Sequence, residues 1–293
     1  MSTGTDPLAP LADLPGVPEA VAEVRKAVDR LYGHRVMRRR AGEVTSEAAL
    51  RGARASAALD GADWPLEEIR RRSDFGGDRE ARTVGGALRI SAEAGQLLGV
   101  WRHSPLQVLA RLHLLAAGDG TEAAGRPRRA AEPVEPLFPL ELAASEGLER
   151  AVEKVDIPPA PSADEAAARL DQLAQLLVAR SEGAASGTPA LVVAAVVHGE
   201  LMALRPFGAH NGLIARAAQR IVLIAEGLDP KSICPAEVGL AELGTAAYRE
   251  ALAGYLSGTG EGMARWIVHC GAALRLGVRE STAVCEAMQR GMV

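Results

Sequence analysis

Aromatic residues are scarce in this 293-residue chain: three Phe, three Trp and three Tyr, 3% of the total. A core with so few large rings must be filled by Ala, Leu and Val, which favours packed helices over a β-sandwich. Lysine is scarcer still. Only Lys26, Lys154 and Lys231 occur, so nearly all of the 33 basic residues are Arg. That bias fits a GC-rich genome and by itself indicates no function. A basic surplus is also missing, because 37 acidic residues leave a net charge of −4. A general nucleic-acid binder is thereby excluded. No apolar run reaches the roughly 18 residues of a membrane span. The N-terminus has neither the basic nor the apolar stretch of a secretory signal. Cysteine is limited to Cys234, Cys270 and Cys285, an odd number without metal-ligand spacing. They read as free thiols, and a cytoplasmic location away from membranes is the expectation. Internal repeats, a Ser-His-Asp arrangement, a phosphate-binding Walker motif and a G-x-G-x-x-G after a strand are all lacking.

What remains is a series of helical signals that follow one another from Val21 to Met288. Hydrophobic residues make up 48% and charged residues 24%, the balance of a folded domain. Residues 1–18, rich in Pro and small residues, read as a flexible tail. Residues 19–100 read as an N-terminal helical region and 101–293 as the core. Pro18 to Leu31 places Val21, Val24 and Val28 on one face. Ser104-Pro105 reads as an N-cap and first helical position, with Leu106, Leu109, Leu112 and Leu115 inward and a stop at Gly118. From 118 to 139, four prolines (Pro127, Pro133, Pro136 and Pro139) break the pattern, leaving a loop or an irregular hairpin. Ser162 and Glu165 form a capping box ahead of Leu170, Leu173 and Leu177. Residues 181–187 read as a Gly/Ser/Ala linker. Thr188-Pro189 opens a helix over 190–204 that is apolar on nearly every face, hence buried. A second apolar helix is expected from about Leu213 to Ala225, ended by Gly227 and Pro230. Two more follow over 245–256 and 262–288, the last broken near Gly277.

The segment between the two apolar helices, Arg205-Pro-Phe-Gly-Ala-His-Asn-Gly-Leu-Ile-Ala-Arg216, carries the chemistry. A loop feeding a helix N-terminus offers unpaired N–H groups and the positive end of the dipole, which suits an anion. Asn211-Gly212 tolerates left-handed backbone, so successive N–H groups can form a nest. The plainer alternative is a helix–helix turn with no ligand.

Here the chain resembles the Fic (Fido) family, whose motif reads H-P-F-x-[D/E]-G-N-G-R-x-x-R. Pro206, Phe207, Asn211, Gly212 and Arg216 match it. Arg111-Leu-His113 through Arg126 resembles the helix and flap that precede that motif, and Trp266 stands where Fic proteins often carry a Trp. Ser56-Ala-Ala-Leu-Asp60-Gly61 resembles the family's inhibitory motif, [S/T]-x-x-x-E-[G/N], and Leu66 to Arg70 continues it. The likeness covers roughly 51–273. It implies a mostly α fold: a Fic-like helical domain with an N-terminal helical extension and a short irregular flap.

The departures shape the functional expectation. Fic enzymes transfer AMP from ATP to a protein hydroxyl, with the motif His as general base and the motif acid on Mg²⁺. Arg205 stands at the His position and keeps its proton at neutral pH. Ala209 stands at the acid position, His210 at the following Gly and Leu213 at the first Arg. Losing a general base alone costs about 10²- to 10⁴-fold in rate. The resemblance therefore implies a degenerate site without standard AMP transfer. Arg205, Asn211, Gly212 and Arg216 would contact ATP or another nucleotide or anion. Ser56, Asp60 and Gly61 would form the inhibitory segment, with Asp60 against Arg216. Phe207 would anchor the loop, and no metal set is expected. His210 is the one displaced candidate for a catalytic base, in a divergent nucleotidyl- or phosphoryl-transferase. A protein partner at the 118–139 flap, through Arg126, Arg128 and Arg129, is the remaining binding mode. His113 and His198 read as structural, and Glu200 as a partner for a nearby Arg.

Overall fold

The computed structural model describes residues 6–118, 122–152, 155–183 and 187–292. Those residues form helices and no strands. In chain order these are α1 (Val17–Tyr32), α2 (Met37–Leu59), α3 (Leu66–Arg71), α4 (Arg79–Glu93), α5 (Leu98–Trp101), α6 (Pro105–Ala117), α7 (Ala163–Glu182), α8 (Ala190–Leu204), α9 (Asn211–Ala225), α10 (Ala236–Leu256) and α11 (Gly260–Gln289). No helix among the described residues is long and apolar enough to cross a membrane.

The apolar sequence of α8 is explained by its place. Every residue from Leu191 to Leu204 is buried except Glu200, whose carboxylate takes two hydrogen bonds from Arg169 (3.0 Å each) and one from Tyr255 (2.8 Å). Helix α9 packs against α8, α11 runs along both α1 and α10, and α2, α4 and α6 also contact α9. With few rings available, Ala and Gly let backbones approach closely. The rings that exist are central. Trp266 is fully buried and donates from Nε1 to the Ala195 carbonyl at 2.7 Å. Tyr248 lies parallel to it, with centroids 6.0 Å apart.

The structure departs from the sequence expectations at several points. Residues 6–18 of the expected tail are tied down: Leu8 and Val17 are buried, and the Asp6 carboxylate accepts from Thr188 Oγ1 (2.5 Å) and from Arg180. Residues 1–5 lie outside the described set, as do 184–186 of the expected linker. Because the Thr188 hydroxyl goes to Asp6, the N-cap of α8 falls on Pro189, without a side-chain bond. Ser104 does occupy the N-cap of α6, but its side chain makes no capping bond. Ser162 caps α7 as expected, accepting from Glu165 N–H at 3.1 Å. Helix α10 begins at Ala236, nine residues before the expected start. It is bent at Gly244 (φ 81°), and that bend hides the periodicity of its first half. Gly277 does not break α11; its missing Cβ leaves room for the Pro235 carbonyl, which a methyl would meet at 2.3 Å.

Candidate anion site at the turn between α8 and α9

Arg205 ends α8 in left-handed conformation (φ 44°, ψ 64°), and His210 repeats that conformation (φ 61°) just before α9. Between them the loop is braced from inside. The Asn211 side chain accepts from Phe207 N–H (3.0 Å) and donates to the Phe207 carbonyl (2.8 Å). Phe207 is buried and stacks on His113 at 4.2 Å between centroids. His113 Nδ1 in turn accepts from Gly125 N–H at 3.0 Å. Asn211 is thus occupied in shaping the loop, and α9 starts two residues earlier than expected because of it.

Of the expected 118–139 flap, residues 119–121 lie outside the described set, and residues 122–139 lie over this loop. Arg128 N–H donates to the Pro206 carbonyl and Glu135 N–H to the Gly208 carbonyl, both at 2.8 Å. The Arg128 guanidinium donates to the Arg205 carbonyl (2.9 Å), to the Leu204 carbonyl (3.4 Å) and to the Pro161 carbonyl (2.5 Å). It therefore supplies donors to the free carbonyls at the end of α8, where a cation is also favoured by the dipole. Arg126 pairs with Glu132 within the segment. Arg129 is exposed. Phe138 is buried edge-on against Tyr248, at 4.9 Å between centroids, and anchors the far end.

The centre of the site is an internal anion. Helix α2 ends in a Schellman turn: Ala62 N–H reaches the Ala57 carbonyl (2.9 Å), Gly61 N–H reaches Ala58 (3.0 Å), and Gly61 takes φ 99°. That turn aims the Asp60 carboxylate at the start of α9. Asp60 Oδ1 meets Arg216 Nη2 at 2.5 Å, and Oδ2 accepts from Leu213 N–H at 3.3 Å. Ser56, one turn earlier on α2, completes the grip. Arg216 Nε donates to its Oγ (2.8 Å) and Nη2 to its carbonyl (3.0 Å). Asp is a methylene shorter than the Glu of the inhibitory motif, so the approach must be closer. Gly212 permits it: a Cβ there would lie 2.4 Å from Asp60 Oδ1 and 2.9 Å from Arg216 Nη1. Arg216 is 2% exposed. Burial alone would lower its pKa, but the Asp60 charge overrides this and raises it. Tyr248 also touches Arg216; burial raises the phenol's pKa against the pull of that cation. The Tyr248 hydroxyl then meets His198 Nε2 at 2.5 Å. Tyr248 is the member of this network that no motif signalled, though a lone buried tyrosine is usually a polar anchor.

Arg205 does not join Arg216. Its Nη2 donates to the Pro158 carbonyl at 2.7 Å, and its Nε is buried without a partner among the described residues. Burial, with Arg128 nearby, lowers its pKa. His210 lines a small cavity together with Asp60, Arg79, Glu135 and Gly212. Burial pulls its pKa below the ordinary value, opposed by the charges of Asp60 and Glu135. His113 is pulled down to about 4, by burial first and then by the charges of His210 and Arg126. Both rings are neutral at pH 7. The cavity measures about 30 Å³, room for one water.

These donors do not suit the Mg²⁺ that the motif acid holds in Fic enzymes. Ala209 offers no oxygen, Asp60 is engaged by Arg216 and Leu213, and Glu135 pairs with Arg79 at 3.1 Å. No group of three potential metal ligands occurs among the described residues.

Comparison with solved structures yields Fic proteins. The chain superposes on a Fic family protein from Desulfovibrio desulfuricans with a TM-score of 0.67 and 20% identity, covering 92% of this chain and 75% of that one. For Fic-1 from C. elegans the values are 0.62, 15%, 92% and 73%. For a Fic domain containing signaling protein from Bacteroides thetaiotaomicron they are 0.59, 12%, 92% and 97%. No family sequence model and no curated protein matches. The fold is therefore the all-helical Fic fold.

Proposed function

We propose that this chain is a Fic-fold binding protein that has lost standard AMP transfer and binds a nucleotide phosphate or similar anion at the α9 N-terminus. The observation that carries this reading is the seat taken by Asp60. One carboxylate receives both the Arg216 guanidinium and a backbone N–H of the first turn of α9. Those are the donors that a phosphate would use. In this closed form the protein's own carboxylate stands in the anion's place, and the α2 terminus must withdraw before a ligand enters. Ser56 and Gly61 act with Asp60, the first by holding Arg216 and the second by setting the turn. Asn211 and Phe207 support the loop, while Arg205 acts at its edge.

A second reading has one observation in its favour. His210 is neutral and lines the same cavity as Asp60, so it has the protonation state a general base needs. In that reading the protein is a divergent nucleotidyl- or phosphoryl-transferase.

Incubation with α-³²P-ATP and cell extract separates the two. The binding reading expects no labelled protein, together with thermal stabilisation of the Asp60→Asn variant by ATP with or without Mg²⁺. Labelling that disappears in His210→Ala would replace it with the second reading. A folded Asp60→Asn protein that ATP, ADP and AMP all fail to stabilise would overturn nucleotide binding.

A further inference from the structure

A second concave region lies away from the motif loop. It is a groove of about 510 Å³ on the opposite flank of α2, between that helix, residues 142–145, α10 and α11. Its volume lies within the range of small-molecule sites. Arg51 and Arg54 project from α2, with Asp63 paired to Arg54, and Glu242 and Glu280 project from α10 and α11, over a floor of small apolar groups such as Ala55 and Val238. The walls touch where Arg51 Nη1 meets Glu280 Oε1 at 2.6 Å.

This groove keeps hydrogen-bonding capacity in reserve. Glu242 Oε2 pairs with Arg279, while Oε1 has no partner among the described residues. Glu280 uses Oε1 on Arg51, and Oε2 has no partner among the described residues. Arg51 engages Glu47 through Nε and Glu280 through Nη1, leaving Nη2. Arg54 engages the Trp64 carbonyl and Asp63 through Nε and Nη2, leaving Nη1. Burial raises the Glu242 pKa; Arg279 opposes this and Glu280 adds to it. A cation beside Glu242 would relieve both the burial and the Glu280 repulsion.

We propose that the groove between α2 and α10 binds a short zwitterionic peptide, its ammonium at Glu242 and Glu280 and its carboxylate at Arg51 and Arg54. An ammonium offers three donors, matching the free carboxylate oxygens, and a carboxylate matches the spare guanidinium N–H groups. Two or three residues with small apolar side chains fit both the volume and the floor. This inference does not depend on nucleotide binding, since none of these residues touches Asp60 or Arg216.

Isothermal titration with tri-alanine tests it, against N-acetyl-tri-alanine and tri-alanine amide. Saturable binding of the free peptide is expected, weakened at least tenfold by either blocking group. Glu242→Gln should weaken free tri-alanine and leave the N-acetylated form unchanged. Arg54→Gln should do the same with respect to the amide, which guards against a folding defect in one variant. Absence of saturable binding to wild-type protein, or equal binding of free and blocked peptides, would overturn the proposal.

Discussion

The motif loop and the groove beyond α2 share a helix and treat charge in opposite ways. At the loop, Arg216 is 2% exposed and enclosed by Asp60, Ser56 and the start of α9. The space left there is about 30 Å³. On the other flank of α2, Arg51 and Arg54 are 25% and 35% exposed and border about 510 Å³. One face of α2 therefore packs an ion pair against α9 and the other borders an open groove. The difference teaches how one helix can serve two environments, since an internal ion pair joins α2 to α9 on one face while the other borders open space. Such a buried charge is strongly destabilising when its partner is removed, whereas a pair at the rim contributes little.

The sharpest way to break this contrast is Asp60→Ala. It strands the Arg216 cation, and a loss of about 3–5 kcal/mol in urea denaturation is expected. A loss below about 1 kcal/mol would mean that the pair does not hold the helices together. Gly212→Ala follows. Its methyl collides with both members of the pair, and a loss of about 1–3 kcal/mol is expected by the same measurement. Ser56→Ala removes the acceptor of Arg216 Nε and should cost about 1–2 kcal/mol. At the small end is Arg79→Ala. It breaks the exposed pair with Glu135 that fastens the covering segment, and should change stability by less than about 1 kcal/mol. Reversal of the order between Asp60→Ala and Arg79→Ala would undo the comparison.

Acid provides another probe of the closed loop. The His113 pKa is about 4 in the folded chain, against about 6.5 when unfolded. The unfolded state therefore binds the proton first. The stability that neutral His113 contributes is complete above about pH 6.5 and is lost as pH falls toward 4. His269, also held at about 4 by burial, acts in the same direction. Urea midpoints should drop across that window, and His113→Asn should flatten the slope. An unchanged slope in that variant would show that His113 does not titrate there.

The sequence revealed more of the fold than of the site. Helix α8 was legible because its residues are apolar on every face, and α7 because Ser162 and Glu165 mark its start. The first half of α10 was not, because the bend at Gly244 changes the phase of its apolar positions. At the site, the Asp60–Arg216 contact followed from motif likeness, and Gly212 supplies the space it needs. The role of Arg128 could not be read. An arginine among prolines looks like a solvated or partner-binding group, and only the fold brings the end of α8 to it. The placement of Arg205 was illegible for a related reason: its left-handed backbone at the end of α8 takes the guanidinium to the Pro158 carbonyl rather than to Arg216.

The central claim is that Asp60 occupies the place of an anion. Isothermal titration of inorganic pyrophosphate into wild-type protein and Asp60→Asn tests it most directly. The substitution keeps the shape of the side chain and removes its charge. Tighter binding to Asp60→Asn by at least tenfold, lost again in Asp60→Asn/Arg216→Gln, is the predicted result. Equal affinity in wild type and Asp60→Asn would contradict the account.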